Sequence, residues 1–197
     1  MFLKKLILVV SPPACGKTYV SKKLAGAVKN IVYLDKDTVI PLSKKVFEAA
    51  NEEYNRSSVF FNKMIRDAEY EVIMNLAFEA LLYADVCLVN APFTREIRDL
   101  DYVKNLSNHL KTLGAELVFV WVSASENTCH ERMIERNSPR DTWKLANWDE
   151  YIKGVDFSIP TPLSSEESGA KLLIFDNNIG TDFEGQLKNI VNEITNK

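Results

Sequence analysis

Very little in this 197-residue sequence is suited to holding a metal or a covalent cross-link. It has three cysteines, Cys15, Cys87 and Cys129, an odd number with no C-x-x-C pair, which excludes a disulfide-framed scaffold and a zinc ribbon. Its two histidines, His109 and His130, have no His, Asp or Cys at ligand spacing, so both are read as structural. Long apolar runs are missing as well. The run after Met1-Phe2-Leu3-Lys4-Lys5 extends only over Leu6–Val10 before Ser11-Pro12-Pro13, too short for a signal-peptide core and far short of the ~20 residues that span a bilayer. It reads as a buried strand. Neither sign of charge dominates, because 24 Lys and Arg face 27 Asp and Glu for a net −3. That balance argues against the basic footprint that long nucleic acids require. These absences predict a protein of the reducing cytoplasm with no membrane partner, acting as a monomer or homodimer.

What is present is an alternation. Leu6–Val10, Ile31–Leu34, Val86–Val89, Leu117–Val122 and Leu172–Phe175 are near-continuous runs of Val, Ile and Leu, the pattern of strands covered on both faces of a parallel sheet. Helical patterns lie between them at 17–28, twice within 42–83, near 95–112, near 125–136 and near 182–195, with Gly114 as a helix stop. The sequence therefore predicts one doubly wound α/β domain over residues 1–197 with about five parallel strands. Two stretches exceed a simple crossover. Residues 42–83, with Phe60, Met64, Ile65, Ala68, Val72, Ile73, Leu76 and Leu82 on roughly helical spacing, are expected to form a helical cap. Residues 137–169, rich in Pro, Ser, Trp and charge, are expected to form a lid and a substrate-side loop.

The strongest motif follows the first strand. Ser11-Pro12-Pro13-Ala14-Cys15-Gly16-Lys17-Thr18 precedes a helical segment and matches the phosphate-binding pattern G-x-x-x-x-G-K-[ST] except that Ser11 replaces the first glycine. Successive backbone N–H groups of Pro13 to Gly16, proline itself excepted, can form an anion nest that the helix N-terminus reinforces. Gly16 permits close approach to phosphate, Lys17 reaches the outer phosphates and the Thr18 hydroxyl can ligate magnesium.

With that loop placed, the chain resembles the small P-loop kinases, most closely the AAA-like ATPase branch that includes polynucleotide kinase, zeta-toxin and chloramphenicol phosphotransferase relatives. The resemblance implies a five-stranded parallel sheet, ATP and Mg2+ as cofactors, and transfer of the γ-phosphoryl group to an acceptor. It implies that an acid ending the second strand orients or deprotonates the acceptor hydroxyl, with Asp35 the first candidate and Asp37 the second. The third strand ends at Asn90, where relatives carry the acid that organises magnesium, so Asp35 is expected to take over part of the metal role beside Thr18. Arg95 and Arg98 follow that strand and read either as an anion site for the acceptor or as solvated helix charges. Arg132 and Arg136, at i and i+4 on one helix face, are similar to the lid arginines of nucleotide-type kinases. By that resemblance Arg132 touches adenine or phosphate, Arg136 reaches the transferring phosphoryl group, and Arg140 is a third candidate. Asn177 and Asn178, after the last strand, are expected to pass over the adenine.

The expected activity is thus ATP-dependent phosphoryl transfer to a hydroxyl of a small molecule. A nucleotide-binding NTPase or regulatory module without an acceptor, and a polynucleotide 5′-hydroxyl kinase, remain as alternatives. Trp143 and Trp148 are read as stacking on the acceptor or sealing the lid. Cys15, at a helix N-terminus, is expected to have a lowered thiol pKa and to be shielded from alkylation by ATP.

Overall fold

The computed structural model describes residues 3–138 and 141–195. Its centre is a five-stranded sheet in the order β2-β3-β1-β4-β5. The strands are β1 (Lys4–Val10), β2 (Ile31–Asp35), β3 (Val86–Asn90), β4 (Ala115–Ser123) and β5 (Lys171–Asp176). All four pairings are parallel. The apolar runs and the strands coincide because Leu6, Ile7, Leu8, Val9 and Val10 of β1, at the sheet centre, have no exposed surface at all. Each such side chain contributes about 1.5–3 kcal/mol through removal from water.

Helices cover both faces. On one, α3 (Arg66–Tyr83) and α4 (Leu100–Thr112) pack Ile73, Ala77, Leu81, Val103 and Leu110 against Leu6, Leu8 and Phe119. On the other, α1 (Lys17–Ala27), α5 (Glu126–Arg136) and α9 (Phe183–Thr195) pack Val20, Leu24, Cys129 and Ile190 against Ile7, Val9 and Val120. The helix ends follow local chemistry. Asp99 accepts from the amides of Asp101 and Tyr102 to start α4, and Gly114, at φ 67°, lies just past its end. Ser125 accepts from the Thr128 amide to start α5, and Asn137, in the left-handed region at φ 44°, ends it. Among the described residues no helix is long and apolar enough to cross a membrane.

The 42–83 stretch divides in two. Its second half, α3, is the crossover helix between β2 and β3 and lies on the sheet. Its first half, α2 (Ile40–Ala49) with a π turn at Phe61–Ile65, builds a separate small cluster of Phe47, Phe61 and Ile65. The helical register expected from Met64, Val72, Leu76 and Leu82 is corrected, since these are 65%, 45%, 44% and 60% exposed. The π turn separates two registers, with Phe61 and Ile65 facing the small cluster and Tyr70, Ile73, Met74 and Ala77 facing the sheet. The described residues of 137–169 include three short α-helices, α6 (Thr142–Ala146), α7 (Trp148–Lys153) and α8 (Thr161–Ser164), and a 3-10 turn at Glu166–Ser168. Leu163 of α8 is buried in the sheet core.

Candidate active site

The carboxyl ends of β1, β3 and β2 meet side by side, because the parallel register sets Val9 against Asn90 and Asn90 against Asp35. This edge of an open α/β sheet is where ligands enter. The loop leaving β1 turns sharply into α1, with Ala14 at φ 63° and Gly16 at φ 88° on either side of Cys15. Alternation of that kind curls successive amides into an anion nest. The N-terminus of α1 has no side-chain cap and no acid in its first turn, which leaves its first N–H groups available to a ligand. A cleft of ≈ 770 Å³ opens over this loop, lined by Pro13, Ala14, Gly16, Lys17 and Thr18 and faced by Asp37, Thr94, Arg132 and Arg136.

Beneath the cleft one side chain joins the phosphate end to the acid end. Asn90, buried at the tip of β3, accepts at Oδ1 from Lys17 Nζ at 2.6 Å and from Ser21 Oγ at 3.3 Å. Its Nδ2 donates to Asp35 Oδ2 at 2.8 Å and to Thr18 Oγ1 at 3.2 Å. Asp35 also accepts from the Tyr33 hydroxyl at 2.9 Å and from the Asp37 amide at 3.0 Å. Burial works to raise the Asp35 carboxyl, but these three donors and the charge of Lys17 outweigh it and hold the group below its ordinary value. Burial lowers Lys17 to about 8, against the opposing pull of Asp35 and Asp37. Asn90 is neutral, so the nearest carboxylate in this hydrogen-bonded chain is that of Asp35.

Arg132 and Arg136 of α5 are brought to the same cleft. Arg132 donates to the Asn177 carbonyl at 2.7 Å and to the Cys15 carbonyl at 3.3 Å. Arg136 donates through Nε to buried Asp141 at 2.9 Å and through Nη2 to the same oxygen. Lys144, 3.4 Å from the other oxygen of Asp141, also lines the cleft. Arg140 lies outside the described residues. Arg95 and Arg98 point elsewhere, pairing with Asp67 and Asp156 on the surface.

Three expectations are corrected. Asn177 does not reach over a base; it is buried, and its Nδ2 donates to the Cys15 carbonyl at 2.8 Å from beneath the loop. A Cβ at Gly16 would lie 2.3 Å from that same Nδ2, so the position excludes a side chain on space as well as on its positive φ. Asn178 is likewise engaged by the Ser125 amide and by Asp176. The Cys15 thiol is fully buried against Cys129, which together with burial raises rather than lowers its pKa. Its backbone forms the loop, but its sulfur is not in the cleft, and the reasoning for ATP-shielded alkylation fails. His109 and His130 pack edge-on to Phe78 and stacked on Trp148. Trp143 is 58% exposed.

Several participants were not anticipated. Tyr33 shares the strand face of Asp35 two residues on, a signal that period-two reading could have supplied. Asp141 and Lys144 lie beyond the end of α5 and give no sequence signal. Nor does Glu69, which sits buried among Lys36, Arg56 and Ser43 at 2.6–2.7 Å where β2 hands over to the first helices. Among the described residues no group of three or more His, Cys, Asp or Glu could hold a metal by itself. Thr18 and Asp35 nonetheless offer the hard oxygens that suit magnesium, which usually takes one or two protein ligands and completes its shell from phosphates and water.

Comparison with known proteins gives one family and one fold. Residues 6–157 match the AAA_33 family model, described as an AAA domain. The fold is similar to that of a protein of Chloroflexus aurantiacus j-10-fl provisionally described as a kinase, with TM-score 0.64 and 20% identity over 98% of this chain and 97% of that one. It is similar to shikimate kinase from Bacteroides thetaiotaomicron, with TM-score 0.52 and 15% identity over 96% and 97% of the two chains. It is also similar to Chaetomium thermophilum Kti12 in complex with ADP-AlF3, with TM-score 0.54 and 17% identity over 96% of each chain. No curated protein matches.

Proposed function

From the premise that the chain belongs to the AAA_33 family of AAA domains, we propose that it is an ATP-dependent phosphotransferase acting on a hydroxyl of a small molecule. The observation that carries this reading is the Asn90 bridge, in which one buried side chain ties the phosphate-binding Lys17 to the Asp35 carboxylate. A site for phosphate alone needs no such connection to the end of β2.

In this scheme the nest around Cys15 and the N-terminus of α1 hold the ATP phosphates, and Lys17 neutralises the outer ones. Thr18 and Asp35 would hold a magnesium ion, which would draw charge off the phosphate oxygens. Asp35 acts by charge and orientation, since a carboxyl held below its ordinary value is a poor proton acceptor. Asp37 lines the cleft itself and is placed to align the acceptor hydroxyl and take its proton. Arg132 and Arg136 stabilise the charge that spreads over the transferring group; phosphoryl transfer depends mainly on such positioning and electrostatics. The net charge of −3 favours a small acceptor over a polynucleotide.

A second reading, an NTPase or regulatory module without an acceptor, is favoured by the neutral Asn90 alone. Calorimetric titration of ATP into wild type and Lys17→Ala tests the donor half, with binding expected in the first and loss of at least tenfold in the second. ATP turnover across a panel of hydroxylated acceptors tests the other half. Turnover that no acceptor changes would overturn the kinase reading in favour of the second.

A further inference from the structure

Two of the three thiols meet directly beneath the phosphate loop, and phosphoryl transfer uses neither. Cys15 Sγ lies 3.6 Å from Cys129 Sγ on α5, and the two side chains are 0% and 1% exposed. Cys87, also buried, sits on β3. The pair joins elements 114 residues apart that both wall the cleft, the loop through its backbone and α5 through Arg132 and Arg136.

We propose that Cys15 and Cys129 are a reversible oxidation site, whose disulfide, formed by a hydroperoxide, closes the phosphate nest and switches nucleotide binding off. This rests on the reading of the cleft as the ATP site. The chemistry balances in two steps. The Cys129 sulfur attacks the peroxide, the O–O bond breaks, and an alcohol or water leaves with the thiol proton, giving a sulfenic acid at Cys129. The Cys15 sulfur then attacks the Cys129 sulfur, forming the S–S bond and breaking the S–O bond, and the hydroxyl leaves with the Cys15 proton as water. Two thiols lose two electrons and two protons, and the hydroperoxide is reduced.

The order of attack follows from the surroundings. The Cys15 contact favours the Cys129 thiolate and, with Arg132 three residues along the same helix, outweighs burial, so Cys129 is held below its ordinary value while Cys15 keeps its proton. The consequence follows from length. A disulfide spans about 2.05 Å, so the sulfurs must approach by roughly 1.5 Å from their present 3.6 Å. In the proposed switch part of that shift is taken at Cys15, the one residue between the two left-handed positions, Ala14 and Gly16, whose amides shape the nest. A displaced Cys15 would carry with it the carbonyl on which Arg132 and Asn177 converge. Nucleotide in the cleft should pin the loop and slow the oxidation.

The test treats the whole purified chain with hydrogen peroxide, with and without ATP. Disulfides are mapped by mass spectrometry of non-reduced peptides, and affinity for a fluorescent ATP analogue is measured before treatment, after it, and after dithiothreitol. The expected results are a Cys15–Cys129 cross-link, slower formation with ATP, at least a tenfold loss of affinity, and recovery on reduction. Cys129→Ala should bind the analogue like wild type and ignore peroxide, with Cys129→Val as the substitute if that variant unfolds. Cross-links involving Cys87, over-oxidation of Cys129 without a cross-link, or a cross-linked protein of unchanged affinity would each overturn the proposal. Failure of the untreated protein to bind the analogue would instead defeat the ATP-site reading, because the peptide map reports the disulfide independently.

Discussion

Replacing Asn90 by aspartate is the change that most sharply separates the roles assigned around it. The Oδ1 side of Asn90 faces Lys17 at 2.6 Å and the Nδ2 side faces Asp35 at 2.8 Å. A carboxylate there gains an ion pair with the lysine and meets a like charge on the other side, where a donated hydrogen bond is lost. Two unit charges about 4 Å apart interact by about 4 kcal/mol at an effective dielectric near 20, and here attraction and repulsion act over similar distances and largely cancel. What remains is the broken hydrogen bond to a charged, partly buried acceptor, about 1–3 kcal/mol. Without magnesium, Asn90→Asp should therefore be less stable than wild type by that amount at pH 8, a fall of about 2–4 °C in Tm per kcal/mol for a chain of this size. The two adjacent carboxyls share a proton, so the folded-state pKa of one is raised above its unfolded value. Its stabilising contribution is present in acid and lost as pH rises through the raised value, so the deficit should shrink from pH 8 to pH 5. Magnesium with ATP should reverse the order, because a second carboxylate beside Thr18 strengthens the metal's hold. Thermal denaturation at both pH values, with and without MgATP, reads all of this. A variant as stable as wild type at pH 8 without magnesium would refute the bridge from Asn90 to Asp35.

Gly16→Ala should abolish measurable ATP binding and destabilise the fold by about 1–3 kcal/mol, since the new methyl must occupy a positive φ and displace Asn177; calorimetry and urea denaturation check it. Glu69→Ala should cost about 3–5 kcal/mol by stranding buried Lys36 and removing the partner of half-buried Arg56, seen as a lower urea midpoint. In the wild type, burial works to raise Glu69 but Arg56, Lys36 and Ser43 hold it at about 2 against an ordinary 4.5. Its contribution is complete above the ordinary value and disappears as pH falls towards about 2, so acid unfolding should begin at higher pH in Glu69→Gln. Asp141→Asn should lower turnover about tenfold with a smaller change in ATP affinity, because it loosens the hold on Arg136 where transition-state charge is met; steady-state kinetics beside direct binding separates the two.

The sheet was readable because parallel strands covered on both faces leave uninterrupted Val, Ile and Leu, and each run overlaps its strand closely. The phosphate loop was readable because its glycine, lysine and threonine are demanded by geometry at fixed offsets. The helix register in 42–83 was not, because a π turn at Phe61–Ile65 changes the phase between two separately packed surfaces. Asn177 misled for a different reason. An Asn-Asn-x-Gly stretch reads as a turn over a ligand, while the tertiary contact that holds it, to Cys15, lies 162 residues away. Arg136 lines the cleft, but its partner Asp141 follows a helix end and a left-handed Asn137, beyond any periodic signal. The thiol pair escaped in the same way, since Cys15 and Cys129 meet only through the packing of α5 on the loop.

The central claim is that one hydrogen-bonded chain from Lys17 through Asn90 to Asp35 serves phosphoryl transfer to an acceptor. Following the γ-phosphate of radiolabelled ATP through an acceptor panel tests it most directly, with wild type beside Lys17→Ala and Asp35→Asn. The account predicts label in an acceptor phosphoester, formed only when that acceptor is present and lost in both variants. Label released solely as inorganic phosphate, at a rate that no acceptor alters and that Asp35→Asn leaves unchanged, would contradict it.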